Sequence, residues 1–301
     1  MDKLTLVAAF RRYEYNDALF DEQEHEGLRL KIGHYEGALL NAMRAMLRHQ
    51  AYDVCEMSPS SYLIARQSGA PLIGLPVFPF SEYPLGQIVV RNDSSLTKLE
   101  DLSRARIAVR TWAQPTALWT RNYLTDYLGI NLDSVRWLFI SEDPVAGLRR
   151  PEGSIECRGK TLEGLLESGE ADAVIGLHEV PPNCRRLIAD PEGAAAQWTR
   201  DTGVVPANHL LVMNAKYAGT SAPAQVCKRV DSVLKEYLNT GIQVPGVISK
   251  LKRINPQLEP LPSGRTANAL MWQTLIASMV RQGMLEPVAN PLDLLVDWEP
   301  Q

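Results

Sequence analysis

Two strand-to-helix turns constrain this chain more than any other feature of its sequence. One is Tyr52-Asp53-Val54-Cys55-Glu56-Met57-Ser58-Pro59-Ser60-Ser61. The other begins Arg106-Ile107-Ala108-Val109-Arg110-Thr111-Trp112-Ala113-Gln114-Pro115-Thr116 and runs on to Arg121. In each, an apolar run of β character ends in hydroxyls and a proline, and a pattern of helical period follows. A helix N-terminus presents N–H groups with no intrahelical partner and carries partial positive charge, so each turn is a candidate anion seat. Two such seats, about half a domain apart, predict a two-lobed protein that grips a small anionic molecule.

The rest of the pattern agrees with an α/β fold. Apolar strand-like runs fall at 4–10, 52–55, 72–78, 87–91, 106–110, 135–140, 173–176 and 210–213. Between them helical periods fall at 37–49, 60–67, 96–102, 116–128 and 161–167, an alternation that implies sheets with parallel strands covered by helices. After residue 213 the chain is mostly helical, at 224–239, 247–252, 266–283 and a short piece near 291–296, with no new strand. The stretch 141–160 reads as a surface loop. Segments near 88 and 207 read as crossings between lobes. The expected division is a discontinuous lobe I of 1–88 and 209–301, and a lobe II of 89–208. Ligands of open α/β sheets lie at the C-terminal ends of strands, so both turns are expected to face a cleft between the lobes.

Composition excludes several classes. Of 301 residues 45% are hydrophobic and 22% charged, the balance of a chain that buries a core. The net charge of −4 carries no basic block, so nucleic acid is not an expected partner. No apolar stretch is long enough to span a membrane. The N-terminal run 1–10 meets Arg11 and Arg12 rather than a cleavage site and reads as a first strand, not a signal peptide. Cys55, Cys157, Cys184 and Cys227 form no CxxC pair, which points to reduced thiols and a cytoplasmic protein.

Several side chains can carry chemistry. Arg121 lies at the edge of an apolar helix face made by Trp119, Tyr123, Leu124, Tyr127 and Leu128. It is either a carboxylate clamp or a surface arginine over a hydrophobic rim. Ser58, Ser60 and Ser61, with Thr111 and Thr116 in the second turn, offer hydroxyls to an anion or act as helix caps. His209 precedes an apolar strand at the second crossing, where a histidine can donate a proton at neutral pH or serve as a hinge residue. His178 follows the strand at 173–176, and Glu56 stands where apolar walls can make a carboxyl group a proton donor. Trp112, Trp119, Tyr83 and Phe80 can stack on an aromatic ligand or fill the core. Asp172 reads as a turn residue. His25, His34 and His49 form no spaced metal set with carboxylates, so no metal is expected. The segment 266–283 is apolar enough to pack on its own lobe or on a second copy of the chain.

At these residues the chain resembles 4,5-dihydroxyphthalate decarboxylase-like proteins. The resemblance is carried by Tyr52 to Ser58 with Ser61-Tyr62, by Leu75-Pro76-Val77-Phe78-Pro79, and by Thr116 to Leu124 with Tyr127-Leu128-Gly129-Ile130. Leu162 to Asp172 and Thr202-Gly203 to Pro206 with His209 extend it over most of the chain. It implies the type II periplasmic-binding-protein fold without a secretion signal. The activity it implies is cofactor-independent decarboxylation of a small hydroxylated aromatic acid, with His209, Glu56 and Arg121 catalytic. Substrate contacts would come from Ser58, Ser60, Ser61, Thr111, Trp112, Thr116, His178 and Arg11. One stretch departs from the family pattern: where those proteins carry Arg-x-Phe-Arg-His, this chain has Ser81-Glu82-Tyr83-Pro84-Leu85. Two guanidinium groups and an imidazole are thus missing, which bears on the identity of the acid. A non-catalytic small-anion binding protein, and another lyase such as a dehydratase of menaquinone precursor synthesis, need the same fold and seats.

Overall fold

The structure, a computed structural model, describes residues 3–33, 38–239, 246–257, 259 and 261–300. In chain order the first elements are β1 Leu4–Ala9, β2 Glu24–His25, β3 Leu28–Ile32, α1 Leu39–His49, β4 Val54–Met57, α2 Pro59–Gln67, β5 Leu72–Ser81 and β6 Ile88–Arg91. Then come β7 Arg106–Val109, α3 Pro115–Arg121, β8 Arg136–Phe139, β9 Ile155–Glu156, α4 Leu162–Glu167, β10 Ala173–Ile175 and β11 Cys184–Arg186. The last are α5 Pro191–Thr202, β12 Ala207–Asn214, α6 Ala222–Asn239, α7 Gly246–Ile254 and α8 Ala269–Arg281. Contacts divide the chain into two compact units, one of 1–81, 207–277 and 285–301, the other of 82–206 and 278–284.

The first unit is built on a sheet of order β2-β3-β1-β4-β12-β5. β1 is parallel to β3 and β4, while β12 runs antiparallel to both its neighbours, β4 and β5. Period-two alternation sets the faces: Leu6 and Ala8 of β1 are in the core while Val7 between them is 41% exposed. Val226, Cys227, Val230 and Val233 of α6 close over that core. β5 holds the sheet edge, which explains how it tolerates Pro76 and Pro79, residues that can give no ladder hydrogen bond. It also runs three residues past the expected end at 78, so Pro79 to Ser81 belongs to the strand. Gly74 of β5 is there for space. A Cβ would sit 2.9 Å from both the Leu294 carbonyl oxygen and the Tyr62 ring, where the chain near Leu295 pairs alongside.

The hairpin of β2 and β3 was not expected, although its signals are in the sequence. Leu28-Arg29-Leu30-Lys31-Ile32 alternates, and Glu26 (φ 50°) and Gly27 (φ 83°) take the two left-handed positions of a tight hairpin turn. The expected helix at 37–49 is described from Leu39; Gly37, with His34, Tyr35 and Glu36, lies outside the described residues.

The second unit carries a sheet of order β11-β6-β10-β7-β8-β9, parallel through β10, β7, β8 and β9 and antiparallel at β6 and β11. Val89, Ala108, Leu138 and Val174 from four strands meet Leu162, Leu165 and Leu166 of α4 in its core. Four local expectations change here. The helix expected over 116–128 is α-helical only to Arg121 and continues as a π-helix over Asn122–Tyr127. The helix expected at 96–102 is a 3-10 helix at Leu99–Arg104, whose N-terminus is held by Asp101 accepting from the backbone of Thr97 and Lys98. The expected loop 141–160 contains β9, and Arg150 ties it together by bonding Asp143, Glu156 and the Ser141 carbonyl. The unexpected α5 starts on an Asp190 cap with Pro191 in its first turn, both standard start signals. Among the described residues no helix is long and apolar enough to cross a membrane.

Candidate active site

The first unit brings Glu56, His209 and Arg11 together at the C-terminal ends of β1 and β4. The Glu56 side chain has no exposed surface and His209 is 15% exposed. His209 Nδ1 lies 2.6 Å from Glu56 Oε1. An ionised carboxylate only accepts, so the proton on Nδ1 faces Glu56 and Nε2 is left for other partners. No hydrogen bond of the described residues engages Nε2. Glu56 Oε2 accepts from the Arg11 backbone N–H at 2.8 Å, and Oε1 also accepts from the Tyr13 hydroxyl at 2.5 Å.

Local backbone irregularity aims the histidine. In the β12–β5 pairing the register shifts on both sides of His209, between Ala207 and His209 and again between His209 and Leu211. Such bulges bend a strand and redirect a side chain that regular alternation would place elsewhere. Phe80 on β5 lies beside the imidazole, ring centroids 5.3 Å apart. Tyr13 stacks between Phe80 (5.7 Å) and Tyr15 (5.0 Å), and the exposed Arg11 guanidinium lies 5.3 Å from the Tyr13 ring centre and 5.7 Å from that of Phe80. On its other side Glu56 borders a small apolar cavity with Phe10, Val77, Leu211 and Val230. Burial, then the Glu56 charge, push the Tyr13 hydroxyl well above its ordinary pKa, so it stays a donor.

Ser58 caps α2: its Oγ accepts from the Ser61 N–H at 3.3 Å and donates to Ser61 Oγ at 2.6 Å. Ser58, Ser60 and Ser61 are all buried. The first seat is therefore a capped helix start in which the Ser58 and Ser61 hydroxyls bond each other.

Thr111, Trp112, Thr116, Arg121 and His178 belong to the second unit. Arg121 is 2% exposed rather than at a surface rim. Its guanidinium lies 3.6 Å from the Trp112 ring centre, Nε donates to Gln282 Oε1 at 2.6 Å, and Nη2 donates to the Trp112 carbonyl at 2.8 Å. Burial lowers its pKa to about 9. Trp112 in turn meets Trp137 and Phe139 edge-on, as a core aromatic does. Thr111 and Thr116 are buried, and Thr116 is bonded through its carbonyl to Thr120 Oγ1. His178 is 67% exposed, with Nδ1 3.7 Å from Glu82 Oε1. Glu82 thus stands in the stretch that departs from the family pattern, and its Oε2 accepts from Gln87 Nε2 at 3.0 Å.

Sequence reasoning missed Tyr13 in this site. It sits just before a 3-10 helix, Glu14–Asp21, which has no helical or strand period to announce it.

The fold is that of the periplasmic binding proteins. The chain superposes on the alkanesulfonate-binding protein SsuA from Xanthomonas axonopodis pv. citri bound to MOPS with a TM-score of 0.56, at 14% identity, covering 99% of this chain and 100% of that one. The periplasmic aliphatic sulphonate binding protein SsuA from Escherichia coli gives 0.55 at 14% identity, covering 99% and 92%. In sequence the chain is similar to two proteins named 4,5-dihydroxyphthalate decarboxylase. The one from Comamonas testosteroni is 32% identical over 175 residues, 53% of this chain and 53% of that protein. The one from Pseudomonas putida is 33% identical over 170 residues, 51% of this chain and 65% of that protein. The chain thus spans between about half and two thirds of the length of these curated relatives. No protein-family model matches it.

Proposed function

We propose that this chain is a decarboxylase of a small hydroxylated aromatic acid, a hydroxybenzoate or dihydroxyphthalate, working without an organic cofactor. The observation that carries the reading is the buried Glu56 bonded to His209 Nδ1 at 2.6 Å, with Nε2 unengaged among the described residues, the Phe80 ring beside the imidazole and the Arg11 guanidinium near that same Phe80 ring. The likeness to proteins named 4,5-dihydroxyphthalate decarboxylase supports the same chemistry.

In this reading the Arg11 guanidinium attracts the substrate carboxylate, and the Phe80 ring offers the aromatic substrate an apolar wall. His209, protonated and steadied by Glu56, gives its Nε2 proton to the ring carbon that bears the carboxylate. A ring hydroxyl ortho or para to that carbon supplies the electrons, passing its own proton to solvent as it becomes the carbonyl of a dienone. The bond to the carboxylate then breaks, CO2 leaves, the bonding pair restores the aromatic ring, and the resulting phenolate takes a proton back from solvent. Solvent returns the proton to His209, so the sum is one proton taken up and one CO2 released. We assign Arg121 to the scaffold of the second unit, because its guanidinium stacks on Trp112 while Nε and Nη2 donate to Gln282 and to the Trp112 carbonyl; Nη1 is buried without a hydrogen-bond partner among the described residues. The four unpaired cysteines support a reducing compartment, the cytoplasm.

The test is incubation with a panel of hydroxybenzoates and dihydroxyphthalates while CO2 is measured. Release from at least one acid, abolished in His209→Ala, is expected. Tight binding of such acids with no CO2 from any of them would overturn the reading in favour of a binding protein.

A further inference from the structure

We propose that Tyr13 is a positioning residue of this site: its hydroxyl competes with His209 for Glu56 Oε1 and so sets how firmly His209 holds its proton. Three donors converge on the Glu56 carboxylate. Oε2 takes the Arg11 backbone N–H, and Oε1 takes both the Tyr13 hydroxyl at 2.5 Å and His209 Nδ1 at 2.6 Å. Tyr13 oxygen and His209 Nδ1 are 3.2 Å apart, and since each sends its proton to Glu56, they are rivals rather than partners.

The rivalry has a direction. A carboxylate that gives part of its charge to a phenol stabilises a neighbouring imidazolium less. Without the Tyr13 hydroxyl, Oε1 serves His209 alone and the protonated imidazole is favoured. The other titratable and charged groups around the cluster do not replace it. Arg11 faces the Tyr13 and Phe80 rings, and Tyr15 stacks on Tyr13 with its hydroxyl committed to the Pro79 carbonyl at 2.7 Å. Cys55 precedes Glu56 and is held protonated by burial and by the Glu56 charge. The aromatic stack fixes the Tyr13 ring independently of its hydroxyl, so the ring and the hydrogen bond are separable.

The catalytic consequence rests on the reading of His209 as proton donor; the titration does not. The experiment is an NMR titration of the imidazole of His209 in the full chain, assigned by its loss in His209→Gln, in wild type, Tyr13→Phe and Glu56→Gln. Tyr13→Phe is expected to raise the midpoint by roughly half a pH unit or more, and Glu56→Gln to lower it. Fluorotyrosine at position 13, a more acidic donor, is expected to lower it too, and keeps the test open should Tyr13→Phe misfold. With 4,5-dihydroxyphthalate as the probe substrate, Tyr13→Phe is expected to move the alkaline limb of kcat to higher pH and to lower the plateau several-fold, with KM unchanged. A midpoint that stays in place in Tyr13→Phe, or moves down, overturns the proposal whether or not CO2 is released. Absence of CO2 from wild type with the expected midpoint shifts leaves Tyr13 established as the regulator of His209 and removes only the decarboxylase reading.

Discussion

Glu56 is a carboxylate with no exposed surface whose side chain, among the described residues, meets no lysine and no arginine guanidinium in an ion pair; its bonds there come from one backbone N–H, one phenol and one imidazole. Three such donors only offset the cost of burying the carboxylate, so its weight lies in what it does to its neighbours. His209→Ala is therefore expected to lower turnover of a responsive aromatic acid by about 10²–10⁴-fold, the usual weight of a positioned acid, measured as CO2 released per enzyme. Arg121 makes the opposite case. Arg121→Met is expected to leave turnover within a few-fold of wild type while lowering stability by about 2–4 kcal/mol in urea unfolding, because it strips a buried stack of its charge and bonds. Each residue of the pair Glu56 and His209 was legible as a candidate, since strand-to-helix turns and strand starts are where such groups serve. Their contact was not, because 153 residues separate them and no spacing rule reaches across that distance. The depth of Arg121 was equally hidden: a helical wheel placed it at the edge of the apolar face, and only packing decides whether an edge is covered.

Elements were legible where a period or a cap announces them and illegible where hydrogen-bond pattern alone decides. Apolar spacing at 116–128 fits an α-helix and a π-helix equally well, so the widening at Asn122 left no trace in the sequence. The 3-10 helix that Tyr13 precedes is short and mixed in polarity, so no period in the sequence marks the residue. Caps behave as the residue types imply. Thr161 accepts from the Gly164 N–H at 3.0 Å at the start of α4, and Thr161→Ala is expected to cost about 1 kcal/mol in denaturant unfolding of the second unit, with activity unchanged. At His209 the two register shifts of β12 do what no side-chain substitution can, turning one residue of an otherwise regular strand toward Glu56.

At the scale of the molecule, the α/β alternation and the periplasmic-binding-protein fold agree, because the alternation of apolar runs with helical periods is a global pattern that survives local misreadings. Tyrosine burial supplies a molecular property common to both units. Burial pushes Tyr62 in the first unit and Tyr83 in the second up to about 12. Their unfolded counterparts ionise near 10, so the unfolded chain loses protons first and the stability these groups contribute falls as pH rises from about 10 to about 12. Tyrosinate absorbance is expected to rise in two stages, the second coinciding with loss of ellipticity; a single early stage with the fold intact would contradict the burial. The placement of β12 between β4 and β5 has a consequence for how the protein is made. Every strand of the second sheet lies within residues 88–186, whereas the first sheet waits for 207–214 to join its halves. On the ribosome the middle of the chain can complete its sheet while β4 and β5 still present open edges, a state in which nascent chains stick to one another. A polypeptide that ends after residue 206 is thus left with no strand to fill the gap between β4 and β5.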